Sequence, residues 1–253
     1  NGGAHAGTVV ERSALDVAAA LVREDFTALV ASAGGRMEDE LAASGGELVR
    51  MDAASKAPHR MLSNALFLRD LIRKRHVKLI HARSRAPAWS ALMAAGMARV
   101  PFVTTYHGIY NAANPLKRFY NSVMIRADAV IANSQWTADH IGREYRRGPK
   151  RLVVIPRGIE PAYFDPASIP PDRAARMRKE WGVSDDDFVI LLPGRLTRWK
   201  GQGVLIGAMA RLKENGMAAN VRAILAGDAQ GRDEYEEELR AQIERDGLSA
   251  HVR

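Results

Sequence analysis

Two cations lie five residues apart in the stretch FVILLPGRLTRWKGQGVLIGAMARLK, residues 188–213. Arg195 and Lys200 follow an apolar run, 188–192, bounded by Pro193 and Gly194, which reads as a strand buried on both faces. They precede a helical pattern starting near Gly201, with Val204, Leu205, Ala208, Met209 and Leu212 at three- and four-residue steps. The pair, with Arg198 between, is thus delivered at a strand's carboxyl end and a helix's amino end, where ligands bind in open α/β sheets. The helix end adds free N–H groups and partial positive charge, so the place suits an anion. Two cationic side chains and one dipole match the two negative groups of a diphosphate. The plain alternative is a solvated basic loop; the coincidence of strand, break, cation pair and helix-opening glycine argues for the anion site.

The elements that must hold such a pair recur along the chain. A helical pattern begins at Ser13, with Leu15, Val17, Ala18, Leu21 and Val22. Strand signals at 26–31, 47–51, 77–81, 102–106, 129–132, 152–155 and 221–226 alternate with helical ones at 36–44, 61–75, 119–125, 137–145, 174–181 and 235–245. Another helix carries Pro87 near its start, where proline is tolerated. Leu62, Leu66, Leu71 and Ile72 form the expected apolar stripe of helix 61–75, whose basic end holds Arg73, Lys74 and Arg75. Short links between alternating strands and helices imply parallel, doubly wound sheets and an α/β fold. The proline-rich PRGIEPAYFDPASIPPDR marks a hinge. It separates a first domain, 1–156, from a linker, 157–172, and a second domain, 173–253. Only about two strand–helix units follow the linker, against roughly five or six strands in a complete nucleotide-binding domain, so the second domain is expected to be incomplete. Asn1-Gly2-Gly3-Ala4 lacks a preceding strand, so the first domain is expected to begin just after its first strand.

Composition narrows the classes. A chain of 253 residues, 47% apolar, can form two ordinary domains. It has no apolar run of about eighteen residues, no secretory leader pattern and no cysteine, which together suit a cytoplasmic protein. The net charge of +8 lies wholly in residues 1–150, and residues 151–253 balance to zero. An anionic partner met by the first domain would explain the imbalance, whether acidic acceptor, anionic lipid or nucleic acid. A basic helix end at 73–75 suits an anionic membrane surface as well as a solvated face.

Several further residues sit where strands end. His107 and Gly108 follow strand 102–106, a position that favours a site role over that of a structural histidine. Asn133 and Ser134 follow strand 129–132, where Ser134 is either a cleft residue or the cap of the next helix. Arg157 follows strand 152–155, and Gly227-Asp228 follow strand 221–226. The acidic run 185–187 precedes a strand rather than ending one and reads as a solvated turn. No His/Asp/Glu cluster has transition-metal spacing, and no nucleophile elbow, Walker A or kinase set is present.

PGRLTRWKG resembles the G-R-x-x-x-x-K-G signature of retaining glycosyltransferases of family four, whose Arg and Lys hold the diphosphate of a nucleotide sugar. TTYHG is similar to the family's T-x-H-G segment, whose His contacts the transferred sugar, and VIANS to its V-I-x-x-S segment. Gly2 and Gly3 are similar to its glycine turn, although Glu11-Arg12 come only after an irregular HAGTVV. PRGIE departs from the usual P-N-G-(I/V)-D, with Arg157 and Glu160 in place of Asn and Asp. Gly227-Asp228 resemble the step that borders the nucleotide base. The family's later E-x7-E acidic motif would lie beyond Arg253.

The resemblance implies a GT-B-like α/β fold, two Rossmann-type domains facing a cleft, and retaining transfer of a hexose from a nucleoside-diphosphate sugar to an acceptor hydroxyl. It assigns His107, Arg195 and Lys200 to catalysis, with no metal and no cofactor. Gly2, Gly3, Gly108, Ser134, Arg157, Gly194, Gly201, Gly227 and Asp228 are assigned to substrate binding. The expected acceptor is a glycolipid or saccharide such as lipopolysaccharide core, met at the inner face of the cytoplasmic membrane, with no nucleic acid involved. Two other readings stay open at this point: an epimerase of the same fold acting on nucleotide sugars, and a non-catalytic basic binding module.

Overall fold

Val-, Ile- and Ala-rich strands alternate with helices throughout this computed structural model, which describes residues 9–110, 114–229, 231 and 233–253. Gly2 and Gly3 lie outside the described residues. The chain divides into two units, Asn1–Gly158 and Ile159–Arg253.

The first unit runs α1 (Val9–Arg23), β1 (Leu29–Ser32), α2 (Glu38–Ala43), β2 (Glu47–Arg50), α3 (Pro58–Lys74), β3 (Ile80–Ala82), α4 (Arg85–Ala98), β4 (Phe102–Tyr106), α5 (Pro115–Asn121), β5 (Ala129–Ala132), α6 (Gln135–Glu144) and β6 (Leu152–Val154). β1 and β2 pair in parallel, and β3, β4, β5 and β6 form a second parallel sheet in that order. β4 is central and almost wholly buried, as expected for a strand covered on both faces. Its Thr104 satisfies its hydroxyl by donating to the Met124 carbonyl at 2.6 Å, because a buried hydroxyl without a partner would be costly. Tyr106, Val123, Met124, Val130, Ala132 and Ile141 form the heart of the core at 0% exposure.

α3 and α4 pack on one another through Ala94, which clusters with Leu68 and Ile72, and the Ser90 hydroxyl donates to the Met61 carbonyl at 3.0 Å, while Ala88, Ala91 and Ala95 face the core of the sheet. The buried face of α3 is accordingly Ala65, Leu68 and Ile72. Leu62 and Leu66, expected in the apolar stripe, are exposed. Ile72 is buried and Leu71 packs against the same cluster, as expected, so the stripe is displaced only in its first half, where the small Ala65 is the buried residue.

The second unit comprises α7 (Pro161–Phe164), α8 (Pro171–Glu180), β7 (Phe188–Pro193), α9 (Gln202–Glu214), β8 (Val221–Ala226) and α10 (Asp233–Arg245). β7 pairs in parallel with β8, and Val252 bridges β8 at Ala223 on the other side. The core holds Leu196, Ile206, Met209, Ala223, Leu239, Leu248 and Val252. Two expectations are corrected here. β7 is not buried on both faces: Phe188 is 66% and Leu191 46% exposed. On α9 Met209 is buried and Leu205 and Leu212 pack on the core, as expected, but Gln202 and Ile206 complete the inward face, while Val204 and Ala208 are exposed.

Helix ends explain most of the shifted boundaries. Asp25, His76 and Arg99 each adopt a left-handed conformation after a helix, and the next residue donates to the carbonyl five back. The bonds are Phe26 to Leu21, Val77 to Ile72 and Val100 to Ala95. This is the Schellman closure. It takes Phe26 and Val77, expected to open strands, into helix caps, so β1 and β3 begin three residues late. In the same way α5 starts at Pro115, earlier than expected, because Asn114 accepts from the Lys117 N–H at 2.8 Å and proline fits the first helical turn.

The assignment of faces on α9 is open to test by urea denaturation. Met209→Ala, fully buried, should cost about 2–5 kcal/mol, whereas Val204→Ala should stay within about 0.5 kcal/mol. Equal costs would place the helix the other way round.

Candidate functional site

In the second unit the loop after β7 carries Gly194, Arg195, Arg198 and Lys200, and the loop after β8 carries Gly227 and Asp228. The two loops are tied together. Gly194 donates to the Ala226 carbonyl at 2.8 Å and Leu196 to the Asp228 carbonyl at 3.2 Å. A Cβ on Gly227 would lie 1.9 Å from the Gly194 carbonyl oxygen, so only glycine permits this approach. Gly201, with φ of 85°, caps α9, and among the described residues no side chain caps that helix amino end.

The three cations of the loop are sorted by their partners. Arg198 bonds Glu238 at 2.5 Å and lies over the Tyr235 ring at 5.2 Å, so it joins the loop to α10. Arg195 and Lys200 instead flank the exposed Trp199 ring, at 6.0 and 4.6 Å from its centre. Both are exposed. A depression of about 680 Å³ lies beside Arg195, lined by Arg195, Thr197, Trp199, Tyr235 and the carboxylates Asp233, Glu234 and Glu238 among others. Gln202 holds the arrangement from beneath: fully buried, it donates from Nε2 to the Arg195 carbonyl at 2.9 Å. It went unnoticed in the sequence, where its one signal is a polar residue at the first turn of an otherwise apolar helix face.

In the first unit the carboxyl ends of β3, β4, β5 and β6 bring a second set together. His107 follows β4 and is held twice. Asn133 Nδ2, after β5, donates to its carbonyl at 3.2 Å, and Arg157, after β6, lies with its guanidinium 2.6 Å from Nδ1. Asn133 is itself fixed by the Thr137 hydroxyl at 2.8 Å. His107 Nε2 is buried and has no partner among the described residues. A Cβ on Gly108 would meet nothing within 4 Å. Ser134 caps α6, accepting from the Thr137 N–H at 3.1 Å.

Sequence reasoning missed Arg83 and His81. Arg83, at the end of β3, donates to Ser13 at 2.6 Å, and burial together with the charge of Arg157 lowers its pKa. His81 bonds Thr105 at 2.8 Å. Their signal was HARSR at a strand end, the same kind of position that drew attention to His107. The acidic turn is structural: Asp187 pairs with Arg222 at 3.2 Å and accepts from the Ser184 N–H. At the basic end of α3, Arg75 pairs with Glu47 and Arg73 donates to the Met97 carbonyl. Among the described residues no group of three His, Asp or Glu is placed to hold a metal, and no helix is long and apolar enough to cross a membrane.

Comparison with known proteins matches residues 10–163 to the family described as Glycosyltransferase Family 4 and residues 174–253 to that described as Glycosyl transferases group 1. The D-inositol 3-phosphate glycosyltransferase of Segniliparus rotundus is 29% identical over 165 residues, covering 60% of this chain and 35% of that protein. A glycosyltransferase from Rickettsia africae superposes with a TM-score of 0.83 at 32% identity, covering 96% of this chain and 63% of that one. Anabaena HepE in complex with UDP-glucose gives 0.78 at 26%, covering 98% and 65%. WaaG, a glycosyltransferase involved in lipopolysaccharide biosynthesis, is 14% identical with a TM-score of 0.69, covering 97% and 65%, and shows the fold alone. The fold expected from sequence is thus established as α/β of GT-B type with parallel sheets. The chain spans about a third of the curated relatives it matches and just under two thirds of the solved ones.

Burial fixes the charge state of both histidines. It lowers the pKa of His107 to about 4, with Arg157 and then Arg83 adding to the effect. It lowers that of His81 to about 3, followed by Arg83 and His107. Between 6.5 and those values the unfolded chain binds protons that the folded state refuses. Stability is therefore full above pH 6.5 and is lost as pH falls below it. The slope is at most about 1.4 kcal/mol per pH unit for each group, less for His107, which keeps part of its solvent. Urea denaturation between pH 7.5 and 5 should show this decline and a shallower one in His81→Gln. Parallel declines in the two proteins would remove His81 from the account.

Proposed function

The chain belongs to Glycosyltransferase Family 4, and from that membership we propose that it moves a sugar, with retention, from a nucleoside diphosphate to an acceptor hydroxyl. The observation that carries this reading is the pair Arg195 and Lys200 on Trp199, beside the amino end of α9, which has no side-chain cap among the described residues. Cations whose neighbour is an aromatic ring rather than a carboxylate keep their charge available for a ligand.

The bond from the anomeric carbon to the diphosphate oxygen breaks, and the acceptor oxygen bonds that carbon on the same face. The acceptor proton passes to the departing diphosphate. No pair of carboxylates suited to a double displacement is evident in the sequence, which supports the same-face route. Negative charge grows on the leaving diphosphate, and Arg195, Lys200 and the α9 terminus stabilise it. These cations supply the charge that a metal would otherwise bring, and the proposal uses no metal. His107, neutral at physiological pH, hydrogen-bonds a sugar hydroxyl rather than taking a proton.

The acceptor proposed is anionic. The excess charge of the chain lies in the first unit, where Arg83 and Arg157 bond a hydroxyl and an imidazole rather than a carboxylate. The relative from Segniliparus rotundus is named for D-inositol 3-phosphate, a phosphorylated polyol, which supports a phosphate on the acceptor. A phosphorylated glycolipid core is the second form of that chemistry. It would place the enzyme at the inner face of the cytoplasmic membrane, with Lys74 and Lys78 towards anionic headgroups.

The test uses the full-length protein with UDP-, GDP- and ADP-sugars, UDP-glucose first, against D-inositol 3-phosphate and against phosphorylated glycolipid. Transfer with retained configuration is expected, undiminished by EDTA. Arg195→Ala or Lys200→Ala should lower kcat by about 10²–10³. Donor-induced thermal shift and turnover that survive both substitutions would sink the reading.

A further inference from the structure

His107 stands between one filled and one empty nitrogen. The Arg157 guanidinium lies 2.6 Å from Nδ1. A guanidinium carries five N–H donors and no acceptor, so Nδ1 can only be the accepting, unprotonated nitrogen. The ring's single proton is then on Nε2. That nitrogen is buried and unpartnered among the described residues, and a buried donor left without an acceptor is an exception that calls for an occupant. The rest of the residue is immobilised, its carbonyl held by Asn133 and Asn133 held by Thr137.

We propose that Arg157 is a positioning residue: by donating into Nδ1 it sets His107 as the Nε2–H tautomer, so that His107 takes only a ligand oxygen with a free lone pair. This rests on the reading of His107 as a sugar-facing residue and states which atom it can face. A hydroxyl oxygen, a ring oxygen or a phosphate oxygen qualifies, and a group that can only donate does not. Nε2 is also removed as a general base, because it already bears its proton and its lone pair is gone. The groups that face the ring agree with a neutral imidazole. They are Arg157 after β6, Arg83 and His81 at the end of β3, and Asn133 after β5, and no carboxylate contributes to its titration.

The test is ring-nitrogen NMR of the full chain labelled in its seven histidines, with His107 identified by its absence in His107→Gln. At pH 7 Nδ1 should be unprotonated with the shift of a hydrogen-bonded acceptor, and Nε2 protonated. Arg157→Met should erase the Nδ1 bond shift and raise the titration midpoint by about one pH unit or more, since a neighbouring cation is removed. Arg157→Lys, which keeps a charged donor, should retain both features in large part. Unchanged resonances of the other histidines report an intact fold. A protonated Nδ1 in the unaltered protein overturns the proposal without any variant. So does an Arg157→Met spectrum in which the His107 shifts and midpoint stay where they were. Because this readout needs no sugar, absence of transferase activity would overturn the proposed function and leave the tautomer assignment standing.

Discussion

Parallel strand pairing is the constraint on which the rest of the molecule depends. When every strand in a sheet runs the same way, each return crossing is a helix, and all strand-to-helix turns open on one edge. The register of β3, β4, β5 and β6 therefore decides that Arg83, His107, Asn133 and Arg157, far apart in the sequence, end as neighbours. The same rule in β7 and β8 sets the Arg195 loop beside Gly227, close enough that a methyl group would not fit between the two backbones. Backbone hydrogen bonds do this placing; the side chains inherit their positions.

What the side chains add is a sorting of charge. A cation either finds a fixed partner or remains free to meet a ligand. Arg198, Arg75 and Arg222 find carboxylates, and Arg73 a carbonyl, and these contacts bind loops and helices together. Arg195 and Lys200 meet an indole, Arg83 a hydroxyl and Arg157 an imidazole. None of those partners cancels the charge. Burial then acts on the neutral members: His81 and His107 lose solvent beside positive groups, and both effects oppose protonation.

The order and type of elements were legible because a run such as 129–132 is continuously apolar and 102–106 is rich in β-branched and aromatic residues, and the structure places β5 and β4 at those positions. Boundaries were less so. Phe26 and Val77 look like the first residues of strands, yet Asp25 and His76 turn left-handed and hand them to the preceding helices. Helix faces were misjudged where a small residue does the packing, as at Ala65, since size and burial part company there. The cation pair stood out in the sequence because its spacing is local. Arg83 and Gln202 did not, for their partners, Ser13 and the Arg195 carbonyl, are visible only once the chain is folded.

The departure of PRGIE from the resembled P-N-G-(I/V)-D acquires a physical meaning from this geometry. A carboxamide beside an imidazole can donate with its NH₂ or accept with its oxygen, so it would satisfy either tautomer of His107. A guanidinium can only donate. It also brings a charge that disfavours a second proton on the ring. Arginine at position 157 therefore narrows His107 from three protonation states, two neutral tautomers and the cation, to one. It does so from a different strand end, held by β6 rather than β4. The specificity of the imidazole is then a property of the sheet's register as much as of the histidine, and a shift of β6 against β5 would be felt at His107 Nε2 before it was felt in the core.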